Sequence, residues 1–305
     1  MRSAAASLAL ISVLTACQAD EPDTPTTTPP EPELVQEGVI SLGARNETFP
    51  AIDPVDGSLW FSVYERSFDA QTIMVARPAD GGGWAAAEVA PFSGTHGDRA
   101  PRFAPGGLRV YFTSNRPAPG HPEGDMNVWV VDRRADGSGW GAPHLVPPPV
   151  SVPDGRDIHP SVLADGTVYV ASNRPGGAGR SDIWRIPESG AGYAVAERLP
   201  EAINDSLSQP DLYVHPDALW MIVVVTDRPG GLGGDDLWFS HFDGAWSAPE
   251  HLGAGINSAE YEYGPSLSPD GEWLYFTSHR RGTADVWRIR TSALPLPPEP
   301  ARMGG

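Results

Sequence analysis

The sequence predicts an all-β fold assembled from five copies of a four-stranded unit. Each copy opens with a Pro shortly before an Asp-Gly or similar turn, continues into a β-rich run that ends in Arg, and then has a second short run that ends in Trp in four copies. Gly (34 residues) and Pro (33 residues) are frequent, which disfavours a mainly helical chain. The repeat prolines are Pro50, Pro101, Pro160, Pro210 and Pro265. Four-stranded units that recur about every 50 residues are typical of β-propeller blades.

Within each copy, turns and strands follow one order. Asp-Gly pairs such as Asp165-Gly166 tolerate the positive φ angles of tight turns, and they separate the first strand from the second. A Gly- and Pro-rich loop then leads to the third strand. A further turn precedes an aromatic residue, such as Trp140 or Trp246, that we expect to open the fourth strand. A β-sandwich is the alternative, but it does not explain five copies of one internal order.

The ends of the repeat array predict how the propeller closes. The fifth copy has no fourth strand of its own after Arg290, and residues 34–42 form an unassigned β-like run before the first copy. A propeller removes its exposed strand edge by letting one chain end complete the last sheet. We therefore expect five blades, the last of them completed by an N-terminal strand.

The N-terminus has the layout of an export signal. Residues 3–16 form an apolar run that is too short for a membrane span of about 20 residues. It ends in Leu14-Thr15-Ala16-Cys17, which resembles the lipobox of bacterial lipoproteins and implies a signal peptide over 1–16 with acylation of Cys17. Gln18, by the same resemblance, favours the outer membrane. The alternative is an ordinary signal peptide with a chance Cys at this point.

Composition sets the domain boundaries and excludes several functions. The linker 17–33 is rich in Pro, Thr and acids, and the tail 291–305 is rich in Pro, so we expect both to be disordered around a propeller at 34–290. The net charge is -18 and all 21 basic residues are Arg, which argues against nucleic-acid binding and excludes a phosphate-binding loop with Lys. Cys17 is the single Cys, so the chain has no intramolecular disulfide.

The repeats resemble those of a known family. Pro265-Ser-Leu-Ser-Pro-Asp-Gly, followed by Leu-Tyr-Phe-Thr-Ser and later by Asp285-Val-Trp, is similar to the WD40-like repeats of TolB-type propellers, over roughly 45–290. TolB-type propellers have six blades, so six is the alternative count. The chain lacks the small α/β domain that precedes the TolB propeller, so what those proteins bind is not carried over.

One set of acids is expected to surround the channel opening. In a propeller, the loops before the first strand and after the second strand lie on one face, which here collects the longer loops. Carboxylates three residues before the repeat Pro fall on this face, with Asp205 as a fifth member in blade four. These predicted channel-mouth carboxylates, which are the candidate binding residues, are Glu47, Asp98, Asp157, Asp205 and Glu262.

A second set of polar residues recurs beside them and predicts bracing of each blade. Because bidentate Arg–carboxylate contacts suit such bracing, we expect each Arg to pair with carboxylates of its own blade. The predicted bracing residues are Arg66, Arg116, Arg174, Arg228, Arg280, Asn127, Asp182, Asp236 and Asp285. The alternative is that some acids remain unpaired and bind a basic ligand or a hard cation such as Ca²⁺.

Two functions fit these patterns. The first is a non-catalytic, lipid-anchored binding or scaffold module of the cell envelope, monomeric and without a cofactor, which holds a protein or glycan at the loop-rich face. The second is a glycan-active enzyme, a glycosidase or lyase that uses channel carboxylates. We favour the first because the acids sit at equivalent repeat positions, whereas catalytic acids usually break symmetry.

Overall fold

The computed structural model describes residues 31–190 and 192–297, and within them it has five four-stranded antiparallel sheets. The prediction of a five-bladed β-propeller closed by an N-terminal strand is confirmed, and the alternative of six blades is wrong. The predicted signal peptide at 1–16, Cys17 and most of the linker lie outside the described residues. In the described part of the chain, no helix is long and apolar enough to cross a membrane.

Each blade places its first strand at the central channel and its last strand at the rim. Blades one and two consist of β2 (Asn46–Ile52), β3 (Leu59–Tyr64), β4 (Thr72–Ala76) and β5 (Glu88–Val89), and of β6 (Asp98–Phe103), β7 (Arg109–Ser114), β8 (Asn127–Asp132) and β9 (His144–Leu145). Blade three consists of β10 (Asp157–Val162), β11 (Val168–Ser172), β12 (Asp182–Ile186) and β15 (Glu197–Arg198), with a separate hairpin of β13 (Glu188–Ser189) and β14 (Gly192–Tyr193). Blade four consists of β16 (Ser208–Val214), β17 (Trp220–Thr226), β18 (Asp235–His241) and β19 (Glu250–His251), and blade five consists of β20 (Glu262–Leu267), β21 (Trp273–Ser278), β22 (Asp285–Arg290) and the N-terminal β1 (Glu33–Leu34). The first strands β2, β6, β10, β16 and β20 contact one another in sequence and close a ring.

The fourth strands start later than the sequence predicts. Trp140 and Trp246 form isolated bridges to residues of the preceding turn, and β9 and β19 begin four residues further on. A Pro lies between the aromatic residue and the strand in both blades, and Pro has no N–H to donate to a sheet. The aromatic residue therefore closes the turn, and the two-residue strand after the Pro completes the blade.

The N-terminal segment joins the last blade to the first. Leu34 pairs with Trp287 of β22, so β1 is the fourth strand of blade five. Two residues further on, the Gln36 amide donates to the main-chain O of Trp84 at 2.6 Å and accepts from its N–H at 2.8 Å. Ile40 is fully buried. The closing strand is shorter than the predicted run 34–42, but the segment holds blade five and blade one together.

The apolar core lies between neighbouring blades. Tyr111 and Val128 of blade two pack in one cluster with Val168 and Trp184 of blade three, and similar clusters fill the other interfaces. Such packing removes both faces of each sheet from water, which is the main source of stability in a propeller.

The tail predicted to be disordered from residue 291 is ordered as far as the described residues extend. Thr291–Ala293 form a single 3₁₀ turn, and Leu294 and Leu296 pack against the core between blades four and five. Two Leu side chains in a Pro-rich segment are enough apolar surface to hold it against Trp220.

Candidate functional site

The predicted channel-mouth carboxylates do not surround an open mouth. Glu47, Asp98, Asp157 and Glu262 are all 0% exposed. Ser114 donates to Asp98 at 2.6 Å, and Ser172 donates to Asp157 at 2.6 Å. In each case the hydroxyl belongs to the second strand of the same blade, so these carboxylates are bonded inside their own sheets.

The Arg residues of blades two, three and five complete these internal contacts. Arg116 reaches Asp98 at 2.8 Å, Arg174 is bonded to Asp157, and Arg280 lies 3.6 Å from Glu262. The same guanidinium groups donate to main-chain oxygens of the preceding loop and lie over the faces of the repeat Trp residues. Within each of these blades, the charges of the Arg and of the carboxylate therefore compensate each other.

In blade one the predicted Arg does not reach its carboxylate. Arg66 is exposed, and Arg45 instead donates to Glu47 at 2.6 Å. The pairing register gives the reason: Asp98 lies opposite Ser114, two residues before Arg116, whereas Glu47 lies opposite Val63, three residues before Arg66. An alignment of the five repeats on their terminal Arg is therefore wrong by one residue in blade one.

Blade four differs in the same way. The N–H of Gln209 bonds to the preceding blade as that of Asp98 does, so Gln209 holds the position of the repeat carboxylate. Arg228 lies 3.7 Å from Asp205, which is 29% exposed, and its guanidinium lies over Trp238. Asp205 also accepts from the Gln209 amide at 2.9 Å. Asp205 therefore joins a looser contact at the edge of the blade.

The third-strand set does not brace the Arg residues. Asp182 accepts from the N–H of Ala178 at 2.8 Å, and Asp236 accepts from the N–H of Leu232 at 2.8 Å. These carboxylates hold the Gly-rich loops that enter the third strands. Asp285 accepts from the hydroxyl of Thr283, and Asn127 donates to Asp125. The prediction that this set pairs with the repeat Arg residues is wrong, because the Gly-rich loops fold back over them.

A cavity of about 350 Å³ opens at the channel end of the loop-rich face, which we define as the face formed by the loops before the first strands and after the second strands. Its wall is largely aromatic, and it carries two acidic and two basic side chains. The lining residues are Phe49, Tyr64, Phe68, Arg99, Arg156, Ile158, His159, Pro210, Asp211, Asp235, Tyr261, Tyr263 and His279. We call this cavity the loop-face pocket.

The floor of the loop-face pocket is a ring of first-strand residues. The ring of Phe49 lies 4.5 Å from that of His159 and 5.2 Å from that of Tyr263, between centroids. Phe49 and His159 have φ angles of 52° and 51°, a region that non-glycine residues rarely adopt. The N–H of Phe49 donates to the hydroxyl of Thr277 in blade five, and the N–H of His159 donates to the hydroxyl of Thr113 in blade two. Ala100 and Gly264 have positive φ angles at the equivalent positions of blades two and five, so this backbone conformation belongs to a bulge that these first strands share.

His159 carries a nitrogen without a partner among the described residues. Its Nδ1 donates to the main-chain O of Pro210 at 2.8 Å, so its Nε2 is an acceptor, and this buried atom has no hydrogen bond. Burial and the nearby Arg99 charge hold the pKa of His159 well below its usual range, which keeps the ring neutral. The pocket therefore contains a neutral acceptor that a ligand donor can satisfy.

Two carboxylates also line the loop-face pocket, and Oδ1 of Asp211 lies 3.7 Å from Nδ1 of His159. Asp211 accepts from the N–H groups of Gly264 at 2.6 Å and Leu212 at 2.8 Å, and burial raises its pKa to about 6. Asp235 accepts from the hydroxyl of Thr226 at 2.6 Å, and burial also raises its pKa. Both carboxyl groups are therefore costly to ionise.

Two basic side chains line the loop-face pocket as well. Arg99 and Arg156 both bond to Asp69, at 2.9 Å and 2.5 Å, so two positive charges share one carboxylate. Arg99 is 1% exposed and lies over the ring of Phe68. The loop-face pocket therefore combines acidic, basic and aromatic side chains in one lining.

Apart from Asp205, the acids that the sequence predicts for the channel mouth lie in the first strands at the loop-rich face, but they are not the side chains that line the loop-face pocket. The sequence patterns select none of the lining residues His159, Asp211, Arg99 and Tyr263. The available signal is a break in the repeat: Phe49, Ala100, His159 and Gly264, each just before the repeat Pro, differ in type from blade to blade. Residues that differ among otherwise equal repeats cannot serve the architecture common to them. Among the described residues, no group of three His, Cys, Asp or Glu side chains is arranged to hold a metal ion.

Comparisons with known proteins give distant matches only. No protein-family model matches the chain. An uncharacterized protein of Agrobacterium fabrum is 56% identical over 27 residues, which span 9% of this chain and 9% of that protein. A TolB candidate from Agrobacterium tumefaciens is 18% identical with a TM-score of 0.48, and the match covers 82% of this chain and 78% of that one. A protein of unknown function from Dyadobacter fermentans is 14% identical with a TM-score of 0.50, covering 86% and 83%.

At these identities the likeness concerns the fold alone. The protein is a five-bladed β-propeller whose repeats resemble those of TolB-type propellers, and its loop-face pocket is compatible with a binding module.

Proposed function

We propose that this propeller is a non-catalytic binding module that is anchored to a bacterial cell envelope through acylated Cys17 and holds a protein or glycan at its loop-face pocket. The observation that carries the proposal is the neutral, unpartnered Nε2 of His159 on the floor of an aromatic cavity. Aromatic side chains supply large, rigid contact surfaces and dominate binding energies at interfaces. The repeat acids, in contrast, are bonded inside the blades.

The partner is best located by photo-crosslinking in the native cell. A photoreactive side chain is introduced at Tyr261, which lines the loop-face pocket and is 48% exposed. The matched control is Leu219, which is 54% exposed in the turn between β16 and β17, at the opposite end of the channel. We expect a discrete adduct from position 261 that is lost when Phe68 is replaced by Ser. Adducts from position 219 alone would contradict the proposal.

The anchor is tested separately by mass spectrometry of the mature N-terminus. We expect an acylated Cys17, and Cys17→Ala should release the protein from the outer-membrane fraction or leave the precursor unprocessed. A mature chain that begins at Gln18 or later without a lipid would disprove the anchor, and it would leave the loop-face pocket proposal to its own test.

The enzyme alternative now depends on the pocket acids instead of the repeat acids. A screen for reducing ends released from polysaccharides tests it, with Asp235→Asn as the matched variant. We expect no release by either protein. Release by the natural protein that is abolished in Asp235→Asn would show a glycan-active enzyme in place of a binding module.

A further inference from the structure

A second cavity, of about 310 Å³, opens at the other end of the channel, among the turns between the first and second strands. We call this end the turn face. The cavity is lined by residues of the first strands and their turns, and Arg102, Ser161 and Ser266 contribute polar side chains to it. No residue that the structure describes in this lining is Asp or Glu.

Arg102 has a buried charge without a contacting counterion. The side chain is 4% exposed and forms no ion pair within 4.0 Å among the described residues. Its Nη1 donates to the main-chain O atoms of Pro50 and Pro101, both at 3.3 Å. Because a guanidinium remains charged in proteins, a buried one needs an anion or several good acceptors, and two long bonds to carbonyls are poor compensation.

The atoms that lack partners form one edge of the guanidinium. Both Nε and Nη2 of Arg102 are buried and have no hydrogen bond. These two groups carry parallel N–H bonds, which is the arrangement that binds both oxygens of a carboxylate or two oxygens of a phosphate side-on. Asp211 is the nearby acid whose charge acts on Arg102, but its oxygens are turned toward the N–H groups of Leu212 and Gly264, and it forms no hydrogen bond or ion pair with Arg102.

The repeat shows that Arg102 is not part of the common architecture. The positions that follow the repeat Pro in blades one, three and five hold Ala51, Ser161 and Ser266, which are small. Ser266 donates to the O of Pro50, one of the acceptors that Arg102 also uses. Blade four contributes Tyr213 to the same lining, so Arg102 and Tyr213 are the large side chains beside three small ones, and the cavity occupies the room that the small ones leave.

We propose that the turn-face cavity is a binding site for an oxyanion, a carboxylate or a phosphate group of a small ligand, held side-on by Nε and Nη2 of Arg102. The site is separate from the loop-face pocket and binds a different class of ligand. Its positive charge, its lack of acidic lining residues and its paired N–H groups select for an anion with two oxygens about as far apart as those of a carboxylate.

The test measures the thermal stability of the full chain in sodium acetate and in sodium phosphate, each against sodium chloride at equal ionic strength. Ligands that bind the folded state raise the midpoint of unfolding in a saturable way. We expect saturable stabilisation by at least one of the two oxyanions, and the one that binds more tightly distinguishes a carboxylate ligand from a phosphate ligand. No response beyond that of chloride for either salt would overturn the proposal.

Three variants locate the effect. Arg102→Met, which keeps the length of the side chain, should lose the response completely. Arg109→Met removes an Arg that is exposed beside Asp132 and should respond like the natural protein. Arg102→Lys keeps the charge but not the paired N–H groups, so it should bind the oxyanion about tenfold more weakly. It is the variant to measure in place of Arg102→Met where the Met variant does not fold. An unchanged response in Arg102→Met or in Arg102→Lys would contradict side-on binding.

Discussion

Arg174 and Arg66 end equivalent β-rich runs in the sequence, yet only one of them is structural. Arg174 is 6% exposed and bonded to Asp157, to Ser172 and to the main-chain O of Val150. Arg66 is exposed, because the register of β3 places it one residue too far along the chain. A residue's role here depends on a single step of register, which the sequence of one run does not reveal.

These two Arg residues give a matched prediction. Arg174→Gln should lower the free energy of unfolding by about 3 kcal/mol, because it leaves Asp157 buried without its counterion. Arg66→Gln should change it by less than about 0.5 kcal/mol, as is usual for exposed positions. Urea denaturation of both variants is the measurement, and a similar loss in both would show that Arg66 braces blade one after all.

Glu47 gives the fold a dependence on pH. Burial raises the pKa of its carboxyl from 4.5 to about 7 against the opposing effect of Arg45. Between these two values the folded state holds a proton that the unfolded state has released, so stability falls as the pH rises from 4.5 to 7 and then levels off.

In Glu47→Gln this contribution disappears, so we expect the loss of stability between pH 4.5 and pH 7 to become smaller. Urea denaturation at a series of pH values measures it. Glu88→Gln, at an exposed residue of β5, is the control and should keep the natural slope. A natural slope in Glu47→Gln would mean that the Glu47 carboxyl stays ionised in the folded protein.

At the scale of elements, the closing segment joins two blades through few residues. Val35 and Ile40 are 2% and 0% exposed, and Gln36 is bonded to Trp84 of blade one. Deletion of residues 33–42 should therefore cost about 4 kcal/mol from the two apolar side chains alone, and it exposes the edge of β22.

Deletion of residues 18–30 is the matched control. This stretch has no large apolar side chain, so its loss should change the melting temperature very little. Thermal unfolding of the two truncated proteins compares them directly. Equal melting temperatures would refute the closing role of the N-terminal segment.

The elements show which parts of the fold the sequence could predict. Strand order, blade count and closure follow from features that all copies share, such as the Pro-to-Asp-Gly spacing, and repetition makes each copy a check on the others. Boundaries were less accurate. Trp140 was expected to open a strand that begins at His144, and 291–297 was expected to be disordered although Leu294 packs on the core. The first difference follows from Pro143, which the local sequence contains, whereas the second follows from a tertiary contact that no local pattern contains.

The candidate site was less predictable for a reason that belongs to the whole molecule. Repetition selects residues such as Asp98 and Asp157, and repeated residues perform the structural task that every blade has in common. The loop-face pocket is built from first-strand residues that differ between blades, such as Phe49, His159 and Asp211. These residues come together because the five blades close into a ring, so no spacing along the chain predicts their proximity.

The charged side chains of the propeller therefore fall into two classes. Asp157 is fully buried, bonded to Arg174 and required by its blade. Asp235 lines the loop-face pocket, where burial and the neighbouring Asp227 and Asp236 raise its pKa and disfavour its charge. Burial also raises the pKa of Asp157, but the bonded Arg174 opposes that effect, whereas two further carboxylates add to it at Asp235. We therefore assign Asp157 to the fold and Asp235 to the site.

The most direct test is the free energy of unfolding of Asp157→Asn and of Asp235→Asn, measured by urea denaturation under one set of conditions near pH 7. We expect Asp157→Asn to lose about 3 kcal/mol, because it leaves a buried guanidinium unpaired. We expect Asp235→Asn to be as stable as the natural protein or more stable, because it removes a disfavoured charge. Equal losses in the two variants, or a loss confined to Asp235→Asn, would contradict the division of structural and binding charges.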